Sequence, residues 1–321
     1  MRIISAFIGC VAVLVGPVQF TSAQNYPNRA IRFIVPTAPT GTADVIGRVM
    51  AQRLSERLGQ PVVVDNRPGA SQMIGGDLVA RSAADGYTMM IITTTFTTTV
   101  AIQPKLTFDP VNDLTGITKI GQGPLLLVVH PSLPVRTLKD LIALARAKPG
   151  ELTFGSAGNG SLVHFATEEL IARTKINMLH VPYKGGAPAV TDTVSGQIQV
   201  LVMTLGTIGT QYKAQRVRAL AVTSAERSSF VPELPTVAEA GVPGYEAGIW
   251  WGLLVPAKTP ADIVAKLNGE IQSSLTREDV KSRFIASGTE PVLGVTPKAF
   301  TDYIAREIMQ WKRIAKGLKF H

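Results

Sequence analysis

From residue 30 onward the alternation of apolar and polar positions repeats one grammar of strand, turn and helix. In "AIRFIV" Ile31, Phe33 and Val35 recur at period two and predict a strand. Beyond the turn "PTAPTGTAD", Val45, Val49, Met50, Leu54 and Leu58 recur at helical spacing, and Gly59 with Pro61 marks the stop. "PVVVDN" is a continuous apolar run, the pattern of a strand buried on both faces of a parallel sheet. A second unit reads as the loop "NRPGASQ", a helix through Leu78 and Val79, the turn "ADGY" and the strand "YTMMIITT". The pattern returns in mid-chain, where "ELTF", "GSAGNGS", "LVHFATEELIART" and "INMLHVPY" predict strand, loop, helix and strand. "KGGAPAV", a helix to Val194 and "IQVLVMT" predict one more round.

Two halves with one plan predict two α/β domains facing each other. "LLLVVHPSLPV" reads as a strand entering the second half and "IWWGLLVPAKTP" as a strand returning to the first. "ADIVAKLNGEIQSSL" and "PKAFTDYIAREIMQWKRIAKGL" read as helices, with Pro260 and Pro297 suited to first-turn positions. The expected division is residues 24–122 plus 248–321 for the first domain and 123–247 for the second. Two crossovers, near Gly123 and Gly248, would form a hinge.

Composition changes this picture mainly at the N-terminus. Arg2 precedes the apolar run "IISAFIGCVAVLVGPVQF", and Thr21, Ser22 and Ala23 supply small residues, so residues 1–23 read as a cleaved export signal with the mature chain starting near Gln24. Gly16, Pro17 and Gln19 interrupt the run and argue against a membrane anchor. The sole cysteine, Cys10, lies inside this segment; too few residues precede it for a convincing lipoprotein signal. The mature chain therefore has no thiol for a disulfide, a nucleophile or a metal. The remaining chain, within a total of 45% hydrophobic and 17% charged residues, is globular rather than disordered. The formal net charge, +9 for all 321 residues and one less, +8, without Arg2, is spread along helix-like segments, with no basic block and no RNA-type aromatic motif. That excludes nucleic acid and leaves small anions as partners.

The loops carry the candidate chemistry. In open parallel sheets ligands bind beyond the carboxyl ends of the strands, where unpaired N–H groups at helix N-termini receive anions without any Lys or Arg. In "TAPTGTAD" Gly41 allows close approach while Thr40 and Thr42 add hydroxyls; in "GSAGNGS" Ser156, Asn159 and Ser161 do the same from the facing half. Micromolar affinity needs about 8 kcal/mol. Several hydrogen bonds to a charged group at roughly 1.5–3 kcal/mol each, with two helix N-termini at up to ~2 kcal/mol each, suffice for a small carboxylate. The plain alternative is that Asp44 and Ser161 only cap their helices. "TTTFTTT", Thr93 to Thr99, reads either as an edge segment of high β propensity or as a polar pocket wall with Phe96 as an aromatic contact.

Enzyme motifs are missing: no G-x-G-x-x-G opens the first helix, no G-x-x-x-x-G-K-[ST] occurs, and Ser71 and Ser156 miss the G-x-S-x-G elbow. His164 and Glu168 lie four apart on a helix but lack a second His or Cys nearby, so no metal and no cofactor are expected.

Three stretches resemble a known family: "YPNRAIRFIVPTAPTGTADVIGRVMAQRLSERLGQPVVVDNRPGA", "FGSAGNGSLVHFATEEL" and "HVPYKGGAPAVTDTVSGQIQV", continued by "PADIVAKLNGEI". In this order, over nearly the whole mature chain, they are similar to the extracytoplasmic receptors of tripartite tricarboxylate transporters, the Bug family. The resemblance implies an α/β periplasmic binding protein of type II: two domains, two crossover strands and a ligand cleft between the domains. It implies that main-chain N–H groups of Ala38, Thr40, Gly41 and Thr42, facing Ser156, Ala157, Asn159, Gly160 and Ser161, grip one carboxylate with the help of ordered waters. Ser71, Gln72, Thr93, Thr95, Phe96, Tyr183, Lys184, Gly185, Met203 and Thr204 would shape the distal end. Where the family usually has Pro followed by two glycines, this chain has Pro39, Thr40 and Gly41; the threonine narrows the loop and adds a hydroxyl.

The expected function is a periplasmic, monomeric receptor that captures a small di-, tri- or aromatic carboxylate for membrane permease subunits. A ligand sensor feeding a signalling kinase is the alternative, and a serine esterase using Ser156 or Ser161 the third reading.

Overall fold

The computed structural model describes residues 26–103 and 105–318. The expected export segment lies outside these residues. Along the chain the elements are β1 (Ile31–Val35), α1 (Thr42–Leu58), β2 (Val62–Asn66), a 3-10 turn (Ala70–Gln72), α2 (Met73–Ala80), β3 (Thr88–Thr93), α3 (Thr94–Ile102) and β4 (Leu114–Val129). Then follow α4 (Leu138–Ala147), β5 (Thr153–Ser156), α5 (Leu162–Thr174), β6 (Leu179–Pro182), α6 (Gly186–Val194), β7 (Val200–Thr204), α7 (Leu205–Lys213) and β8 (Arg218–Val222). The chain closes with β9 (Gly248–Pro256), α8 (Ala261–Leu275), α9 (Glu278–Ala286), β10 (Glu290–Pro291) and α10 (Pro297–Ala315).

The strands run in the order β2-β1-β3-β9-β4-β7-β5-β6, with β8 and β10 also on β4. β2, β1 and β3 are parallel, as are β7, β5 and β6, so each flank is a strand-helix-strand block with its loops at one end. Between them β9 and β4 are antiparallel to their neighbours. β4 belongs to both flanks: it pairs β9 from Leu114 to Pro124, then β7 and β8 from Leu125 onward. Pro124, which has no N–H to donate, sits where the partner changes. Gly123 beside it is required by a close approach, since a Cβ there would lie 2.5 Å from the Gly288 carbonyl oxygen.

Ile31, Phe33, Ile34 and Val35 of β1 are all fully buried, each worth about 1.5–3 kcal/mol of hydrophobic stabilisation. The expectation that "PVVVDN" lies buried on both faces is corrected: β2 is the outer strand of its flank and Val63 is 54% exposed. The threonine run is neither strand nor loop but the helix α3. Thr93 caps it by accepting the Thr95 N–H, and the hydroxyl oxygens of Thr97 and Thr98 also lie 2.8 and 3.1 Å from the carbonyls of Thr94 and Thr95. Thr97, Thr98 and Thr99 are fully buried, so tertiary hydrogen bonds override the β preference of their branched side chains.

Candidate functional site

A cavity of about 400 Å³ opens between the two flanks at the carboxyl ends of the parallel strands. Six helices begin at its wall: Gly41, Thr42 and Ala43 of α1, Gln72 before α2, Thr93 and Thr95 of α3, Leu162 and Val163 of α5, Gly185 to Ala187 of α6, and Thr204 and Thr207 of α7 all line it. Only α3 and α5 carry a side-chain cap, from Thr93 and Ser161; α1, α2, α6 and α7 have none. The first-turn N–H groups and partial positive charge of α1, α6 and α7 therefore face the same space, whereas the first N–H of α2, that of Met73, donates to the Ala70 carbonyl. Lys184 is the one charged side chain among the lining residues. Ile249 and Trp251 of β9, with Leu162, Val163 and Met203, add apolar wall, and Thr37 Oγ1 is buried without a hydrogen-bond partner among the described residues.

The first loop is fixed from behind. Asp44, 3% exposed, accepts the Thr40 N–H (3.0 Å) and Arg48 Nε (3.0 Å) on Oδ2, and Asn66 Nδ2 (2.9 Å) on Oδ1. Burial alone would raise its pKa, but the bonds from Arg48, Asn66 and Thr40 and the Arg48 charge together hold it below the ordinary carboxyl value. Asn66 Nδ2 also donates to the Thr37 carbonyl, and Arg48 returns a bond to Asn66 Oδ1. The Asp44 charge is thus matched by a guanidinium, leaving the α1 N-terminus open toward the cavity. Thr40 holds φ at 73°, the left-handed region that suits glycine, at a cost of about 1–2 kcal/mol. Ala70, Ser71 and Gln72 are three further non-glycine residues in succession with positive φ, and Gln72 is locked by Nε2 to Thr93 Oγ1 (2.6 Å) and by Oε1 from the Thr93 N–H (3.2 Å). Backbone strain of this kind clusters at binding sites. On the facing side the Tyr183 hydroxyl donates to Asp192 (2.6 Å); burial, then that bond and the Asp192 charge, push its pKa up to about 12, so the phenol stays protonated and its ring stays oriented.

Of the residues expected at the site, Ala38, Gly41, Thr42, Ser71, Gln72, Thr93, Thr95, Ala157, Asn159, Tyr183, Lys184, Gly185, Met203 and Thr204 are brought together around the cavity. Thr40, Phe96, Ser156, Gly160 and Ser161 are not. Thr40 is exposed and its N–H is taken by Asp44. Phe96 turns into the apolar core beside Phe108, with ring centroids 6.3 Å apart, because one step along α3 rotates it about 100° away from Thr95. Ser161 caps α5 by accepting the His164 N–H (3.4 Å), and the Gly160 N–H donates to His164 Nδ1 (3.2 Å). Ser156 Oγ lies 2.6 Å from His180 Nε2, but it is fully buried and also bonded to Gly158, so no substrate reaches it. His164 and Glu168 face each other at 3.6 Å, and among the described residues no group of three or more His, Cys, Asp or Glu is placed to hold a metal. Thr37, Ala70, Gln103, Thr207, Ile249 and Trp251 were not foreseen. Period two in "GIWW" was the one available signal, since it sends Ile249 and Trp251 to one face and Trp250 to the other.

Residues 46–320 match the family model described as tripartite tricarboxylate transporter family receptor. The chain is 37% identical over 313 residues to Protein BugT of Bordetella pertussis, covering 97% of this chain and 96% of that one. An R. palustris protein solved with adipate is 37% identical, with a TM-score of 0.87 over 91% of this chain and 98% of its own. MatC from Rhodopseudomonas palustris, solved with malate, is 29% identical, with a TM-score of 0.86 over 90% of this chain and 99% of its own. The fold is accordingly that of a two-domain α/β periplasmic binding protein, and the family is one of solute-binding receptors rather than enzymes. The chain belongs to the tripartite tricarboxylate transporter receptor family, the Bug proteins.

Proposed function

We propose that this protein is an exported periplasmic receptor that takes a small carboxylate into the cavity and delivers it to membrane permease subunits. The observation that carries this reading is the convergence of six helix N-termini, four of them without a side-chain cap, on a cavity with one charged side chain. Such a site stabilises a carboxylate by fixed main-chain N–H groups, whose donor capacity does not change with pH. The relatives solved with adipate and malate support the same ligand class. In this reading residues 24–122 with 248–321 and residues 123–247 move as two lobes about β4 and β9, and the first-turn N–H groups of α1 meet those of α6 and α7 as they close.

The test is calorimetry of the mature chain against citrate, aliphatic diacids including adipate and malate, terephthalate and acidic amino acids, followed by uptake of the tightest ligand in a strain lacking the gene. Micromolar or tighter binding with loss of uptake is the expected outcome. No heat with any acid overturns carboxylate capture. Intact uptake with lost ligand-dependent gene induction overturns delivery in favour of sensing.

A further inference from the structure

Across the cavity the two flanks touch through hydroxyl groups: Thr42 Oγ1 lies 3.1 Å from Thr204 Oγ1 and 3.2 Å from Thr207 Oγ1, and the threonine run supplies three more. Thr98 Oγ1 donates to the Gly160 carbonyl at 2.7 Å, Thr99 Oγ1 reaches the same carbonyl at 3.2 Å, and Thr95 Oγ1 accepts the Leu162 N–H at 3.3 Å. Nearby, Ser71 Oγ donates to the Asn159 carbonyl at 2.9 Å. The opposite side of α3 is tied to the returning strand and to α10. Thr94 Oγ1 accepts the Trp250 N–H at 3.1 Å, and Thr97 Oγ1 lies 2.6 Å from Glu307 Oε2. One short helix thus joins the loop of the second flank to the strand on which that flank is hung.

We propose that α3 is a closure latch: the hydroxyls of Thr98 and Thr99 hold the loop from Ala157 to Ser161, and that of Thr95 the first residue of α5, against the first flank and thereby position their main-chain groups at the cavity. These bonds run from protein to protein, so they favour closure with or without ligand. They raise the apparent affinity of any ligand that needs the closed form by raising the fraction of molecules already competent. Thr98 and Thr99 are fully buried and do not line the cavity, so they act through the loop and are positioning residues. The affinity arm of the test rests on the carboxylate-receptor reading, whereas the closure arm needs no ligand.

The mature chain has no cysteine of its own, so Val63→Cys and Leu179→Cys, on the exposed outer strands of the two flanks, accept a dye pair that reads closure. A net hydrogen bond of this kind corresponds to about a fivefold factor in an equilibrium. The Thr95→Val, Thr98→Val, Thr99→Val triple is therefore expected to lower the ligand-free closed fraction by tenfold or more. It is expected to weaken adipate by a similar factor, mainly through faster dissociation, while the triple serine variant restores both. An unchanged closed fraction in a triple valine variant with a cooperative melt overturns the latch, as does a loss that serine fails to restore. Should the triple not fold, Thr98→Val alone is read in the same way, with a three- to tenfold change expected. If adipate binds neither protein, the ligand reading fails while the dye signal still decides the latch.

Discussion

Replacing Asp44 by asparagine tests the support of the first loop, because no orientation of the new amide satisfies its neighbours. With the amide nitrogen in place of Oδ2 it meets two donors, the Thr40 N–H and Arg48 Nε; in place of Oδ1 it meets Asn66 Nδ2. Asn66 cannot simply flip in response, since its own amide donates to the Thr37 carbonyl and accepts from Arg48. At least one charge-assisted bond is lost and one buried donor is left facing another, which together cost about 2–4 kcal/mol. That is a large share of a typical stability of ~5–15 kcal/mol. Urea unfolding should show a lower midpoint with an unchanged slope, and adipate should bind more weakly because Gly41 and Thr42 are no longer held. The same network sets an acid limit. The folded-state pKa of Asp44 lies below its ordinary 3.8, so its contribution is present above that value and is lost as pH falls through the folded pKa. The reasoning is refuted if Asp44→Asn changes stability by less than about 0.5 kcal/mol at pH 7.

Glu307, nine-tenths buried, has its pKa raised by burial against the bonds from Thr97, Trp250 and Tyr303 and the Lys119 charge. The stability it supplies is complete below its unfolded pKa and lost as pH rises through the folded one. Glu307→Gln can accept from Trp250 and Tyr303 and donate to Thr97, so melts should match wild type near pH 5 and exceed it at pH 8; an equal shift at both would refute this. Gly158→Ala places a Cβ 3.1 Å from the Tyr183 carbonyl at φ 120°, and should cost about 2 kcal/mol in urea unfolding along with ligand affinity. Lys184→Met should weaken adipate by less than about tenfold, as expected for one exposed charge beside a main-chain site; a loss above hundredfold by calorimetry would move recognition onto the lysine.

The flanking blocks were legible because their strands and helices carry clean periods and their turns carry the expected glycines: β1 with α1, β5 with α5, and β7 lie where the pattern put them. What failed was decided by partners distant in the chain. Val63 looks like a core valine, but sheet order puts β2 at the edge. The stretch from Leu114 to Gly123 does not read as strand because its glycines interrupt it, and Gly123 is there to admit the Gly288 carbonyl. The threonine run suggests β structure locally, yet Thr94, Thr97, Thr98 and Thr99 are bonded to residues of β9, α10 and the loop before α5. The site loops were legible as a class, since Gly, Ser and Thr between a strand and a helix mark a helix N-terminus. Which residues turn inward was not. Ser156, Gly160 and Ser161 have the chemistry of Asn159 but spend it on His180, His164 and the α5 cap. Ile249 and Trp251 reach the cavity from a strand far along the chain, which no local pattern announces as a ligand wall.

Helix N-termini, rather than charged side chains, are expected to hold the ligand. A crystal structure of the complex with the tightest-binding carboxylate tests this most directly. Carboxylate oxygens are expected within about 3.2 Å of main-chain N–H groups of Thr42 or Ala43, and of α6 or α7, in the cavity walled by Ile249 and Trp251. A ligand held by Lys184 alone, or bound outside this cavity, would contradict this expectation.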